Sequence, residues 1–496
     1  MSDLVRIELE PLGRSLVVER GTPLQDVLFA YGVEFPCGGH GRCRRCRVKV
    51  LDGSLEVTPE QARILTGPEL AEGWRLACHS RAEGALKLDI AQWETAILAD
   101  DSQFEFTPGQ GLGIAIDLGT TTLVAQLLDL RTAHVLAVRT ALNPQAAFGA
   151  DIMSRVEFAL DGHGQRKLQD LIRSGLGRLV RELLAAARTG EASVSKIVLV
   201  GNTVMHHLFC GVGVEPLSHV PFEPSRDGLE VFPAADLGWD VPGNPPALFL
   251  PCLGGFVGSD ILAGLLATRM PDSESLIGLI DLGTNGEISF GTRERIVCAS
   301  TAAGPAFEGG RISAGMRAST GAISEVSLRD GQLHCHVLGG GPPRGICGSG
   351  LVDAVAAGLD LGVITPRGNL AGNGLWMLAP PVALAQRDIR ELQLAKAAIA
   401  AGIRIVLRRL GAEAAEVTRL YLAGAFGNYI SRTSARRIGL IDFPEEKVEP
   451  AGNTALLGAK LALFATPARP QVEHISLASD PDFQDIYVEE MNFEVV

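Results

Sequence analysis

The chain has 496 residues, of which 46% are hydrophobic and 58 are glycine, and it carries a formal net charge of −13. Such a length predicts about three structural units, and the composition suits an α/β protein with many tight turns. The acidic balance argues against nucleic acid or an anionic lipid surface as the main partner. Because the sequence shows neither an apolar run of about 18 residues nor a basic–apolar leader, we expect a soluble, cytoplasmic protein with no membrane partner.

Residues 1–92 are predicted to form a small β-rich domain. Apolar residues alternate along VRIELEPL and SLVVER, a pattern that predicts a hairpin. Thr22 is expected to cap a short helix with Pro23 at its first position. The strand CRVKVLDG, a second short helix near residues 60–65 and the closing strand ALKLDI follow. Two strands, a helix, a cysteine loop and further strands are typical of a β-grasp domain.

Four of the nine cysteines predict a metal centre in this domain. Cys37, Cys43 and Cys46 are spaced C-x5-C-x2-C, and Cys78 follows in a later segment. Three thiolates on one loop with a distant fourth are typical of a [2Fe-2S] cluster, and the spacing resembles that of adrenodoxin-like ferredoxins. Two alternatives stay open. The same cysteines could bind zinc, although zinc usually takes paired C-x2-C knuckles, and a neighbouring histidine could replace a ligand as in a Rieske centre.

Residues 93–110 are acidic and then rich in Pro and Gly, which predicts a linker. Beyond it, GIAIDLGTTTLVAQLLDL and LIGLIDLGTNGEISFG are the two most similar segments of the chain. Each is an apolar strand that ends in Asp-Leu-Gly-Thr and continues into another strand. This internal likeness predicts two lobes of similar topology, at residues 111–275 and 276–496.

The first Asp-Leu-Gly-Thr segment predicts a phosphate loop. Asp117, at the end of its strand, is expected to hold Mg²⁺ through water. Gly119 lets the backbone approach a phosphate, and the hydroxyl and N–H groups of Thr120 and Thr121 can donate to phosphate oxygens.

The second segment predicts the partner loop, with Asp281 on the metal and the phosphate contacts supplied by Gly283, Thr284 and Asn285. A late strand followed by small residues is expected to pass close to the adenosine, through Gly424, Ala425 and Phe426. The glycine patterns of a Rossmann site and of a P-loop are both missing.

Candidates for the hydrolytic step are Asn202, Asp281 and Glu287. Asn202 ends the apolar strand KIVLV and is expected, in a segment connecting the lobes, to orient the attacking water. An amide cannot accept a proton, so Asp281 or Glu287 would have to do so, and phosphoryl transfer depends more on positioning than on a base. Of the two histidines that follow, His206 and His207, one is expected to pack into the protein; ligation or contact with a partner is the alternative.

The ordered motifs resemble those of the actin, Hsp70 and sugar-kinase superfamily. Together with the ferredoxin they resemble the reductive activators of corrinoid proteins, through IDLGTTT, VGNTVMHHL, DLGTNGE, AGPAFEGG, ICGSGLVD and LAGAFGNYI. The resemblance implies an α+β β-grasp ferredoxin followed by a two-lobed α/β actin-like (RNase H-like) ATPase. Its implied cofactors are a [2Fe-2S] cluster, ATP and Mg²⁺.

The resemblance also implies an activity: ATP-dependent, one-electron reduction of cob(II)alamin to cob(I)alamin on the corrinoid protein of a methyltransferase system. An upstream electron donor would reduce the cluster, and whether the chain forms a homodimer stays open. Three alternatives remain at this point. They are a small-molecule kinase fused to a redox-sensing ferredoxin, a nucleotide-gated electron-transfer scaffold, and an activator of another enzyme class such as the radical dehydratases.

Overall fold

The computed structural model describes residues 3–10, 14–28, 33, 46–90, 104–149, 151–187, 193–318, 321–338, 340–372, 374–465, 467 and 469–493. Cys37, Cys43 and most of the predicted linker lie outside these ranges. No helix within them has both the length and the apolar character needed to cross a lipid bilayer.

The N-terminal elements are β1 (Leu4–Glu10), β2 (Arg14–Glu19), β3 (Thr22–Pro23), α1 (Leu24–Leu28), β4 (Arg47–Asp52), α2 (Pro59–Ile64), α3 (Gly67–Ala71), β5 (Trp74–Leu76), β6 (Arg81–Ala82) and β7 (Leu86–Asp89). A five-stranded sheet has the order β2-β1-β7-β4-β5, in which β1 and β7 are parallel. Because side chains alternate along a strand, Val5, Ile7 and Leu9 of β1 all enter the core.

The predicted helix cap at Thr22 is wrong. Thr22 and Pro23 pair with Arg81 and Ala82 and are therefore extended. The Thr22 hydroxyl donates to the carbonyl of Glu19 at 2.6 Å, and helix α1 begins only at Leu24.

The first large lobe contains β8 (Leu112–Leu118), β9 (Thr122–Asp129), β10 (Val135–Leu142), α4 (Ile152–Leu160), α5 (Gly164–Ala187), β11 (Val194–Val200), α6 (Thr203–Cys210), β12 (Glu230–Pro233), β13 (Pro246–Phe249) and α7 (Ser259–Ala267). Its sheet has the order β10-β9-β8-β11-β13-β12. β8, β9 and β10 form an antiparallel meander, whereas β11 and β13 run parallel to β8.

The second lobe contains β14 (Ile277–Leu282), β15 (Gly286–Gly291), β16 (Ile296–Thr301), β17 (Ala322–Arg329), β18 (Gln332–Val337), β19 (Gly345–Ile346), α8 (Gly348–Asp360), β20 (Leu375–Ala379), β21 (Val382–Ala385), α9 (Gln386–Leu410), β22 (Arg419–Ala423), α10 (Gly424–Tyr429), α11 (Arg432–Arg437), β23 (Val448–Gly452), α12 (Thr454–Phe464), β24 (Val472–His474) and α13 (Phe483–Glu489). Its main sheet has the order β23-β22-β14-β15-β16-β24.

The two large sheets have the same topology. In each, an antiparallel meander (β8–β9–β10 or β14–β15–β16) is followed by two strands parallel to the first (β11 and β13, or β22 and β23). The likeness of the two Asp-Leu-Gly-Thr segments therefore extends to the strands around them, and the predicted pair of actin-like lobes is confirmed.

Helices α7 and α12 pack against each other between the two sheets. Leu262 of α7 and Leu456 of α12 are fully buried in a cluster that also holds Val198 of the first sheet and Leu279 of the second. Both helices begin at the cleft between the lobes, since Asp260 in the first turn of α7 and Asn453 at the cap of α12 line it.

Candidate functional site: a cleft between two lobes

A cleft of about 320 Å³ opens where the carboxyl ends of β8 and β14 face each other. The predicted site residues come together there. Those lining the cleft are Asp117, Gly119, Thr120, Thr121, Asn202, Asp281, Gly283, Thr284, Asn285, Glu287, Gly424 and Phe426. The side chain of Ala425 lies outside the described part of the chain.

Asp117 lies at the end of β8 and is held by a residue that sequence reasoning missed. The amide nitrogen of Asn453 donates to Oδ2 of Asp117 at 2.9 Å, while its oxygen accepts from the backbone of Leu456 and so caps α12. Burial raises the pKa of Asp117 to about 6, and the bond from Asn453 acts in the opposite direction. An Asn directly before the helical segment TALLGAKLALF was the available signal.

Asn202 caps α6, where its side-chain oxygen accepts from the backbone N–H of Met205 at 3.0 Å. Its amide nitrogen donates to the hydroxyl of Thr120 at 2.9 Å. Both ends of the amide are thus engaged, and Asn202 orients Thr120. Asn202 was expected to lie in a segment connecting the lobes, but α6, which it caps, packs inside the first lobe. The helix that passes between the lobes is α7.

The second phosphate loop has a different support. The Thr284 hydroxyl donates to a carboxylate oxygen of Glu308 at 2.5 Å, and the Thr284 carbonyl accepts from the N–H of Gly304 at 3.0 Å. Asp281 lies against the start of α10, where Gly424 has φ +81° and a Cβ atom would come within 2.5 Å of Asp281 Oδ1. Only glycine lets the two segments meet this closely.

Three carboxyl groups lie near one another at the base of the cleft. Burial raises the pKa of Asp281 to about 7, and the negative charge of Asp117 acts in the same direction. Burial also raises the pKa of Asp260 to about 8, with a further contribution from Asp281. Glu287 is 8% exposed, and burial together with Asp260 and Asp281 raises its pKa well above the ordinary value.

Asp260 was not among the sequence candidates. It sits in the first turn of α7, which follows the parallel strand β13, so it belongs to the carboxyl ends of the strands as Asp117 does. Gly258 permits this placement, because a Cβ there would lie 2.2 Å from the carbonyl of Gly201. A carboxylate two residues after a glycine, in FVGSD at the start of α7, was the available signal.

The second lobe supplies the remaining wall. Phe307 and Phe426 stack with ring centroids 4.6 Å apart. Gly348 and Ser349, the first residues of the 13-residue helix α8, line the cleft. The N-terminal dipole end of this helix is suited to an anion.

The ferredoxin site is described through two of its four predicted ligands. The sulfur atoms of Cys46 and Cys78 lie 3.3 Å apart, and neither residue is in a disulfide. Cys46 is 1% exposed, and its carbonyl accepts from the N–H of Ala77, which ties the two ligand segments together. The two thiols are therefore brought to one point, as ligands of a single metal centre must be.

His206 and His207 are both fully buried in α6, so the prediction of an inward histidine is confirmed and extended. Burial lowers the pKa of each to about 4, which keeps both rings neutral near pH 7. The His206 ring packs edge-on against Phe249, 4.9 Å between centroids. Neither ring lines the nucleotide cleft.

Fold and site together define a class: a ferredoxin joined to a two-lobed nucleotide-binding protein of the actin type. Three family models match, one for each part. Residues 7–83 match a "2Fe-2S iron-sulfur cluster binding domain", residues 112–273 the "RACo middle region", and residues 275–495 the "C-terminal domain of RACo the ASKHA domain".

The chain belongs to the RACo family of corrinoid activators. It is 34% identical to the corrinoid activation enzyme RamQ of Eubacterium limosum, over 76% of this chain and 69% of the relative. A [Co(II) methylated amine-specific corrinoid protein] reductase of Methanosarcina barkeri is 28% identical over 77% of each chain. A solved reductive activator for corrinoid, iron–sulfur protein is 26% identical, with a TM-score of 0.69 over 98% of each chain.

Proposed function

We propose that this protein is an ATP-dependent reductive activator that returns cob(II)alamin on the corrinoid protein of a methyltransferase system to cob(I)alamin. The observation that carries the proposal is the convergence of two phosphate loops and a carboxylate cluster on one cleft, in a chain that also brings two cluster cysteines together. The names of the relatives, which describe corrinoid activation and Co(II) corrinoid reduction, supply the substrate class.

Cys37, Cys43, Cys46 and Cys78 would hold the [2Fe-2S] group. The sulfur atoms of Cys46 and Cys78, 3.3 Å apart, fit that role, and the group would supply one electron at a time from an upstream donor. The division into a ferredoxin at residues 1–92, a linker at 93–110 and lobes at 111–275 and 276–496 forms part of the proposal. So does the assignment of the corrinoid protein as the electron acceptor.

In the cleft, Thr120, Thr121 and Thr284 would bind the phosphates of ATP through hydroxyl and N–H donors. Asp117 and Asp281 face each other across the cleft and would hold Mg²⁺ through water, consistent with the preference of this ion to keep several water ligands. Gly283 and Asn285 would complete the phosphate contacts. The segment of Gly424, Ala425 and Phe426 would lie close to the adenosine.

Hydrolysis needs an acceptor for the proton of the attacking water. Asp260 and Glu287 form the acidic pair next to Asp281, and a raised carboxyl pKa makes the ionised form of such a group a stronger proton acceptor. The water oxygen would form a bond to the γ-phosphorus, the bond to the ADP oxygen would break, and the water proton would pass to this pair. Asn202 acts earlier, by orienting Thr120.

The coupling requires only modest energy. An electron that climbs 59 mV costs about 1.4 kcal/mol, so a gap of about 100–200 mV costs only a few kcal/mol. Closure of two lobes around ATP, with α7 and α12 between them, could meet that cost by changing how the corrinoid protein is bound.

The proposal is tested with the full chain, reduced anaerobically and mixed with ATP and a corrinoid protein in the cob(II)alamin state. Cys46→Ser should abolish formation of cob(I)alamin in the visible spectrum while ATP hydrolysis persists, which shows that the lobes remain folded. Cys335→Ser, which removes a half-buried thiol of β18, is the matched control and should reduce cobalt like the parent protein. Equal reduction by both variants would contradict the proposed electron route.

A further inference from the structure

A fully buried arginine lies behind the first phosphate loop. Arg155, on α4, is 0% exposed and does not line the cleft. Its guanidinium donates to the carbonyl of Thr120 at 2.5 Å and to the carbonyl of Gly149 at 2.9 Å. Two weaker contacts go to Oε1 of Gln145 at 3.4 Å and to the sulfur of Met205 at 3.5 Å.

None of these acceptors is a carboxylate. Burial lowers the pKa of Arg155 to about 9, with a smaller opposing effect from Asp151, so the side chain stays charged near pH 7. A buried charge paired only with neutral dipoles destabilises a fold unless another interaction compensates for its lost hydration. The shortest hydrogen bond of Arg155 goes to the phosphate loop, which would receive negative charge when a nucleotide binds.

Three successive carbonyls of that loop are turned toward this side. Gly119 O accepts from the side chain of Asn143 at 2.9 Å, Thr120 O from Arg155, and Thr121 O from the backbone N–H of Asn143 at 2.8 Å. The C=O and N–H of a trans peptide point in opposite directions. The N–H groups of Thr120 and Thr121 are therefore turned toward the cleft, where an anion can receive them.

We propose that Arg155 is a positioning residue for the phosphates of the nucleotide. It fixes the Thr120–Thr121 peptide with the N–H of Thr121 toward the cleft, and its charge acts through that peptide on the phosphate chain. The inference rests on the proposed binding of ATP in this cleft and extends it to a residue that touches neither nucleotide nor solvent. It predicts that Arg155 favours ligands according to the number of phosphates they carry.

The test compares dissociation constants of the full chain for ATP, ADP and adenosine in the presence of Mg²⁺. In Arg155→Met, the preference for ATP over adenosine should fall about tenfold, which corresponds to about 1.4 kcal/mol. The preference for ADP should fall less, and the dissociation constant for adenosine should stay within about twofold of the parent value, as expected when only an electrostatic contact is lost. Arg155→Lys keeps the charge but loses the forked guanidinium that donates to both Thr120 and Gly149. Its preference for ATP over adenosine should therefore fall less than that of Arg155→Met.

Arg173→Met is the matched control. Arg173 belongs to the same lobe and donates to the carbonyl of Phe209 at 2.9 Å, away from the cleft. Its removal should leave the ratio of the dissociation constants for ATP and adenosine unchanged. An unchanged ratio in Arg155→Met would overturn the inference while leaving ATP binding intact. If that variant does not fold, an unchanged ratio in Arg155→Gln, which also removes the charge, would overturn it equally. Absence of ATP binding by the parent protein would overturn both this inference and the proposed function.

Discussion

The two phosphate loops have the same sequence core and the same sheet around them, yet their surroundings differ in charge. The first loop is supported from behind by neutral and cationic donors, Asn143 and Arg155, and its aspartate is hydrogen-bonded to Asn453. The second loop is surrounded by carboxyl groups, with Glu308 on Thr284 and Asp260 and Glu287 near Asp281. The two loops therefore share a backbone framework but differ in chemistry: donors support the first loop, and carboxyl groups lie around the second.

This difference suggests a division of work between the two phosphate loops. Donors turned toward the cleft suit the first loop to holding phosphate oxygens. Carboxyl groups with raised pKa values suit the second loop to ordering water and accepting its proton. Variants that remove the same group from each loop therefore test whether the two loops differ in function.

The largest effect is expected from the paired changes Asp117→Asn and Asp281→Asn. Asp281 belongs to the acidic side, so Asp281→Asn should lower the rate of ATP hydrolysis by about 10²–10³-fold, as expected for loss of one preorganised electrostatic group. Asp117→Asn should mainly weaken binding of Mg²⁺–ATP. Steady-state hydrolysis and nucleotide titration separate the two outcomes, and identical behaviour of both variants would mean that the loops are equivalent.

A smaller effect concerns the stability of the nucleotide-free protein. The pKa of Asp260 is about 8 in the folded state, whereas its ordinary value is 3.8. Between these two pH values the folded protein therefore binds more protons than the unfolded chain. Stability conferred by the protonated group is present at low pH and is lost as pH rises toward 8. Asp260→Asn should therefore raise the free energy of unfolding by about 1–3 kcal/mol at pH 8.

The measurement is urea unfolding of parent and variant at pH 5.5 and pH 8, with hydrolysis assayed in parallel. The gain should be larger at pH 8 and should be accompanied by loss of hydrolysis. A gain that is equal at both pH values would show that Asp260 does not titrate in this range.

The smallest effect is expected from Asn453→Ala. Loss of its hydrogen bond leaves Asp117 more easily protonated, because that bond favours the carboxylate. Affinity for Mg²⁺–ATP should fall about fivefold near pH 6, in line with about 1 kcal/mol for one hydrogen bond. The deficit should shrink at pH 8, where Asp117 is ionised in both proteins, and a deficit independent of pH would assign Asn453 to capping of α12 alone.

Much of this arrangement was predictable because it depends on sequence patterns within single segments of the chain. The repeated Asp-Leu-Gly-Thr segments predicted both lobes, and alternation in β1 predicted the first strand of the ferredoxin. Asn202 was expected to order water but is engaged with Thr120, and this could not be foreseen because the contact joins residues far apart in sequence. Thr22 failed as a cap because pairing with Arg81 and Ala82, again distant, kept it extended.

The residues that were missed share one property. Asp260, Asn453 and Arg155 act at the two phosphate loops from helices outside the motifs, brought there by the packing of α7 and α12 between the sheets and of α4 behind the first loop. Sequence patterns report periodicity and turns within one segment, whereas these contacts depend on how segments cross.

We propose that ATP bound in this cleft drives an electron from the ferredoxin to cobalt. The decisive measurement is the visible spectrum of a corrinoid protein in the cob(II)alamin state, mixed anaerobically with the reduced full chain and with ATP, ADP or no nucleotide. Cob(I)alamin should accumulate with ATP only and in proportion to the phosphate released. Equal accumulation in all three mixtures, or phosphate release without any cob(I)alamin across several such corrinoid proteins, would contradict it.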